Sequence, residues 1–418
     1  MRIVKLNSDT KKDILGQLLK RTPAQYTEYE NIVNDIVRAV KERGDEALFE
    51  TTAKFDKWDI NKNNILVSPE EIQEAYKEME PEFIEVLEEA AENIRVFHQK
   101  QVRESWINTR DDGSILGQRI TPIDSVGCYA PGGKAAYPSS VLMNVIPAKV
   151  AGVPKIVLST PAGAGGKVHP VTLVAADIAG VDEIYKIGGA QAVAAMAYGT
   201  ESVSKVCKIT GPGNIFVALA KKACFGEVGI DSIAGPSEIL VIADETANPR
   251  FVAADLLSQA EHDELASAIL LTNSEELAKK VSEEVDNFTR ELSRREIIEK
   301  SLDNYGYILV GDTMEDLIAA ANDIASEHLE IQTKDAYEVM TKIKNAGAIF
   351  IGPYSSEPLG DYFAGPNNIL RTNGTEKFFS PLNVDEFKKK TKIISYIKER
   401  IEMIHKSIEY CINKKELK

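Results

Sequence analysis

From about residue 124 onward the sequence predicts an α/β fold with largely parallel sheet, and three observations carry that prediction. Short β-rich runs alternate with Ala-rich helical segments: SVGCYA, KIVLST, EIYKIG, VCKIT, EILVIAD, AILLT, YILVG and AIFIG read as strands, with helices between most of them. Two joints run from a strand through a Gly-rich turn into a helix, APGGKAAYPSSVLMNVIPAKVAG and TGPGNIFVALAKKACFG. At 418 residues the chain is also longer than one compact core usually accommodates, so two or more domains are expected.

Ahead of that region, residues 1 to about 110 read as helices. EYENIVNDIVRAVKERGDEALFETTAKFD has apolar residues at helical spacing, interrupted at Gly44-Asp45. SPEEIQEAYKEM opens with the capping box Ser68-x-x-Glu71, and EFIEVLEEAAENIRVFHQKQ is a second long amphipathic helix. The last stretch, from DEFKKKTKIIS onward, reads as a basic helical tail. Hydrophobic content of 44% and charged content of 27% are ordinary for a globular protein. The net charge of −15 argues against nucleic acid and anionic membrane surfaces as partners. No apolar run approaches the roughly 20 residues needed to cross a bilayer, and MRIVKLNSDTKKD lacks the apolar core of a signal peptide. Cys128, Cys207, Cys224 and Cys411 are widely spaced and form no CxxC, as expected of reduced thiols in a cytosolic protein.

The Gly-rich joints admit two readings. Gly132 and Gly133 permit close backbone approach ahead of the helix start Pro138-Ser139-Ser140, and Gly211 and Gly213 repeat that logic. Backbone N–H groups at such helix starts favour phosphate, which suggests a nucleotide cofactor. Neither stretch is a GxGxxG or a Walker loop, so tight turns without a ligand are the other reading.

The polar constellation is similarly open. Gln259 and His262 lie three apart in LLSQAEHDE, so on a helix they share a face and suit one cation, with Asp361 of LGDYFAGPNN as a third N/O ligand. A His hydrogen-bonded to a neighbouring Gln explains the same pair. Glu327 and His328 in IASEHLEI would point about 100° apart on a helix and flank a substrate as water-activating base and proton acceptor; a solvated Glu beside a half-buried His is the alternative. His98 reads as structural and His169 as exposed. Cys128 and Cys224 read as small buried thiols.

The stretches GCYAPGGKAAYPSSVLMN, IGGAQAVAAMAYGT, ITGPGNIFVALAKK, GEVGIDSIAGPSEILVIAD, ADLLSQAEHD, SEHLEI and GDYFAGPN, taken together and in this order, resemble histidinol dehydrogenases over roughly residues 30 to 395. The resemblance implies a zinc- and NAD-dependent enzyme that oxidises L-histidinol to L-histidine in two hydride steps through an aldehyde held in the site. It implies a cytoplasmic, intertwined homodimer built from two incomplete Rossmann-like domains with helical N- and C-terminal arms. The implied division is an arm at 1–26, a first domain at 27–128 and 239–382, a second at 129–238, and a shortened arm at 383–418. By matching positions, Gln259, His262 and Asp361 are zinc ligands; Glu327 and His328 transfer protons; Ser237, Glu357 and Asn368 join the ligands and His328 in contacting substrate; Tyr129, Gln191 and Asn214 contact NAD.

Two features depart from the family. Asn368 stands where the family has a substrate-contacting His, and Asn does not titrate near neutral pH; Arg371 stands where the family usually has Pro. The residues NKKELK come where the family helix leads to an Ala-His pair that gives a fourth zinc ligand across the dimer, and His405 falls well before that position. These departures leave two further readings: a paralogue that oxidises another amino alcohol or a diol, and a dimer that binds metal or nucleotide without turnover.

Overall fold

The computed structural model describes residues 1–19, 27–132, 137–163, 165–233 and 235–414. The chain begins with β1 (Arg2–Lys5) and α1 (Ser8–Leu19), followed by α2 (Thr27–Arg43), α3 (Asp45–Asp56), α4 (Pro69–Glu78) and α5 (Pro81–Gln99). Val33, Val37 and Val40 place one buried stripe along α2. Gly44, at φ +58, breaks α2 from α3, and the Ser68–Glu71 capping box opens α4 as the sequence predicts. β2 (Trp106–Thr109) and β3 (Ile115–Pro122) come next.

The alternating region then reads β4 (Val126–Tyr129), α6 (Pro138–Ala151), β5 (Ile156–Ser159), α7 (Pro170–Ala179), β6 (Glu183–Tyr185), α8 (Gly189–Tyr198), β7 (Lys208–Thr210), α9 (Ile215–Cys224) and β8 (Gly229–Ile230). It continues as β9 (Glu238–Ala243), α10 (Pro249–Ala260), β10 (Ser267–Thr272), α11 (Glu275–Glu291), α12 (Arg295–Tyr305), β11 (Gly306–Val310), α13 (Met314–Ile324), β12 (His328–Gln332), α14 (Ala336–Lys342), β13 (Ala348–Ile351) and α15 (Glu357–Tyr362). The chain returns as β14 (Lys388–Ser395) and α16 (Lys398–Lys414).

Two parallel sheets organise the molecule, one in the order β6-β5-β4-β7-β8 and the other β1-β11-β10-β9-β12-β13. Counted within each unit, both run 3-2-1-4-5, the order of a Rossmann-like half, and β1 extends the second sheet at its edge. Every residue of β4, β5, β9, β10 and β12 is buried, as strands covered by helices on both faces must be. The sequence therefore predicts the α/β class and all eight quoted strands.

Four expectations change. The first residues, expected to be helical, form β1, which pairs parallel with β11 at the edge of the six-stranded sheet. The helices expected to join the six-stranded unit pack instead on the five-stranded one: Val33, Leu48, Leu87 and Ile94 share a single core with Val126, Val157 and Val217. The boundary at 128/129 also passes through β4, and a strand cannot be divided between sheets. Last, the tail is not all helical. Lys388–Ser395 pairs antiparallel with all eight residues of β3 in a third, three-stranded sheet with β2. Its lysines suggest a solvated helix, but pairing with β3 decides the conformation, as tertiary context does for strands.

Candidate active site

Glu327, His328 and Glu238 meet at the amino ends of β12 and β9. His328 is not helical, as the sequence suggested, but opens β12 opposite Ile239. This register sets the Glu238 backbone between the two functional groups: its N–H donates to Glu327 Oε2 at 2.9 Å, and its carbonyl lies 3.1 Å from His328 Nδ1. A carbonyl only accepts, so Nδ1 carries a proton and Nε2 is left to face the cavity. Nε2 stands 3.5 Å from Asp361 Oδ1 on α15.

Gln259 lies in the last turn of α10, with its amide nitrogen 3.5 Å from His328 Nδ1. His262 does not share its helix face, because α10 ends at Ala260; a turn brings His262 round, its N–H bonded to the Gln259 carbonyl at 3.0 Å. A cavity of about 930 Å³ collects Gln259, His262, Ser237, Glu327, His328, Asp361 and Asn368 on its walls. Glu357 sits behind Asp361, one turn earlier on α15 and buried. The Asn368 amide donates to the Asp361 carbonyl at 3.1 Å.

The electrostatics follow from packing acids into a closed wall. Burial pushes Glu327 up to about 7, held back by His328 and the Glu238 N–H. Burial also pushes Glu357 up to about 8, with Asp361 adding to the rise. Burial alone would lower His328, but Glu327 and Asp361 raise it to about 10. His262, at the cavity mouth, is lowered by desolvation despite Asp361 and Glu261, which favours the neutral imidazole a metal requires.

A cation suits this arrangement. Gln259 Oε1, Asp361 Oδ1, Asn368 Oδ1 and His328 Nε2 are buried without a hydrogen-bond partner, an arrangement that is costly unless something else satisfies them. Among the described residues, His328, Glu357 and Asp361 bring ligand atoms within 4.8 Å of one another. That group differs from the expected set of Gln259, His262 and Asp361 in taking the two residues read as proton-transfer and substrate groups. The orphaned Gln259 oxygen lines the same cavity, whereas His262 lines it without being one of the three groups brought within that distance.

A second cavity, of about 670 Å³, lies outside the carboxyl ends of β4, β5 and β6 and is lined by Tyr129, Gln191 and Asn214. The amino ends of α7, α8 and α9 reach it through His169, Gly189 and Asn214. Three helix starts aimed at one space attract a pyrophosphate. Asn214 caps α9 by accepting from Phe216 N and Val217 N, and the Tyr129 hydroxyl accepts from Gly189 N at 3.1 Å. With these N–H groups already engaged, what the three helix starts offer a dinucleotide is the positive end of each helix. Asp56, pushed up to about 6 by burial, lines the same space, as does His169; nothing in their sequence surroundings marks them. Pro131 and Asn214 line both cavities, so the two adjoin. Cys128 and Cys224 are buried and pushed up to about 12, as expected of inert thiols.

A family model, histidinol dehydrogenase, matches residues 19–418. The chain belongs to the histidinol dehydrogenase family. A histidinol dehydrogenase from Halalkalibacterium halodurans is 58% identical over 369 residues, covering 88% of this chain and 87% of that protein. One from Clostridium acetobutylicum is 52% identical, covering 98% and 94%. The crystal structure of the histidinol dehydrogenase from Elizabethkingia anophelis superposes with a TM-score of 0.94 at 38% identity, over 100% of this chain and 95% of that one.

Proposed function

We propose that this histidinol dehydrogenase-family chain oxidises L-histidinol to L-histidine in two successive NAD-dependent steps at a divalent-cation site, with zinc the favoured ion. The observation that carries the reading is the adjoining pair of cavities. One is built for a dinucleotide; the other holds buried, unpartnered N and O ligands beside an acid–imidazole pair. Gln259, His262 and Asp361 would hold the ion, and Tyr129, Gln191 and Asn214 the dinucleotide. When bound, the ion would supply a Lewis acid for the amino alcohol and the dinucleotide a hydride acceptor.

The chain's own groups handle the protons. Glu238 C=O holds Nδ1 of His328, so Nε2 is the atom that takes the alcohol proton as the carbinol carbon gives up hydride. For that role His328 must be neutral. Glu327, Asp361 and Glu357 hold its proton, and a cation bound at Asp361 would offset the share of that hold that Asp361 supplies. Glu327, near 7 and oriented by Glu238 N–H, takes a proton from the water that attacks the aldehyde carbon. The hydrate then has a second hydride to give. Ser237 and Asn368 line the cavity and offer polar contacts to the substrate's ends, while Glu357, buried behind Asp361, backs that wall.

The arms support a dimer that acts in the cytoplasm. α16 has no buried residue, yet Ile401, Ile408 and Ile412 lie exposed along one of its faces, with Met403 and Tyr410 exposed on the other side. Faces of that kind mark an interface. The free cysteines suit a reducing compartment. Incubation of the protein with zinc, NAD and L-histidinol should yield L-histidine by chromatography. A folded, metal-loaded protein that forms none would overturn the reading.

A further inference from the structure

Gln259, His328 and Asp361, which face the candidate cation site, stand on three elements, and each element carries a second polar residue one repeat away. On α10, Asp255 lies one turn before Gln259. On β12, Glu330 lies two residues after His328 and shares its face. On α15, Glu357 lies one turn before Asp361. These second residues bond to one another. Glu330 is wholly buried, and its Oε1 accepts from the Glu357 backbone N–H at 3.0 Å. Its Oε2 accepts from Gln332 Nε2 at 3.0 Å, and the same nitrogen donates to Asp255 Oδ2 at 2.8 Å. Asp255 and Glu330 also hydrogen-bond to each other, and burial together with the Asp255 charge raises Glu330 well above the usual carboxyl range. Ser258 Oγ stands 2.9 Å from Glu357 Oε2 and 2.8 Å from the Asp255 carbonyl.

α15 has six residues, too few to hold its own shape or place. The N–H groups of its first turn have no partner within the helix, and Glu330 supplies one.

We propose that Glu330, braced by Asp255 and Gln332, is a positioning residue that fixes α15 against β12 and α10 and so sets the distance of Asp361 from Gln259 and His328. This rests on reading the cavity as the cation and alcohol site. The test compares wild-type protein with Glu330→Leu, which removes both acceptors at similar volume. Glu330→Gln keeps an oxygen for the Glu357 N–H and offers an N–H to Asp255, but it loses the acceptor for Gln332 Nε2, whose amide must turn. Zinc affinity of the metal-free proteins is measured by competition with a chromophoric chelator, and NAD affinity is measured alongside. Glu330→Leu should weaken zinc roughly 10- to 100-fold and raise the KM for histidinol more than it lowers kcat. Glu330→Gln should stay within about threefold of wild type, and NAD affinity should not move in either. Ser258→Ala, on the same network but half-buried, carries the test if Glu330→Leu does not fold, with a several-fold loss of zinc affinity expected. Wild-type zinc affinity in folded Glu330→Leu, or in Ser258→Ala if the former does not fold, or an equal loss in Glu330→Gln, overturns the positioning role. A wild-type protein that neither binds zinc nor turns over histidinol overturns the reading of the cavity instead.

Discussion

At the scale of single residues, the proposed chemistry turns on two adjacent side chains with separate tasks. His328→Ala should lower turnover by roughly 10²–10⁴-fold, the usual worth of a positioned acid–base group, while NAD affinity stays as it was; unchanged turnover would remove His328 from the mechanism. Glu327→Gln should slow histidinal oxidation more than histidinol oxidation, measured with each substrate separately. An equal loss in both would contradict a water-activating role. Asn368 places its amide on the Asp361 carbonyl and leaves its own oxygen unpartnered. Asn368→His should raise kcat/KM for histidinol; no gain would point to a substrate without imidazole. The types of these residues were legible in the sequence because Gln259, Glu327, His328 and Asp361 sit in stretches resembling the family. Their geometry was not legible. Helical spacing brought Gln259 and His262 together correctly but for the wrong reason, since a turn past Ala260 does the work. Glu238 was invisible as a site residue because it acts through its backbone, which no side-chain pattern reports.

At the scale of elements, loops that approach other backbones are the critical joints. Gly211 has φ +115, and a Cβ there would stand 2.1 Å from the Tyr129 carbonyl. Lys221 and Asp231, a fully buried ion pair, grip that residue from both sides: Asp231 accepts from its N–H at 2.8 Å, and Lys221 donates to its carbonyl at 3.0 Å. Gly211→Ala should therefore cost at least roughly 1–3 kcal/mol in denaturant unfolding, and a variant of wild-type stability would contradict this. The sequence marked this turn as Gly-rich, but not the clamp, because Lys221 lies ten residues and Asp231 twenty residues away. His98 joins α5 to the segment ahead of Asn368: Nδ1 lies 2.7 Å from the Ile94 carbonyl, and Nε2 lies 3.4 Å from Asn367 Nδ2. Its pKa is lowered by burial from 6.5. Below that value the unfolded chain takes a proton the folded one resists, so stability is full above about pH 6.5 and falls as pH drops further. His98→Gln should flatten the fall in melting temperature between about pH 7 and 5; an equal fall in both proteins would contradict the assignment.

At the scale of the whole molecule, two units repeat one strand order but use opposite ends of it. The five-stranded sheet presents its carboxyl ends to the cavity proposed for the dinucleotide, as open α/β sheets generally do. The six-stranded sheet presents the amino ends of β9 and β12 to the cavity proposed for the cation. That inversion lets the two cavities adjoin at Pro131 and Asn214. The alternation of strands and helices made the α/β class legible, but assignment of the N-terminal helices required knowing which sheet they cover. α2 through α5 are amphipathic in a way that suits either sheet. The exposed apolar face of α16 predicts a dimer: Ile401→Glu with Ile408→Glu should shift the mass by light scattering from twice the chain mass to the chain mass. A wild-type monomer would contradict this. The most direct test of the central claim is the number of NADH formed per L-histidinol consumed by zinc-loaded protein in excess NAD. Two NADH for each histidinol is the predicted result. One, with histidinal accumulating, or none, would contradict a four-electron oxidation in this site.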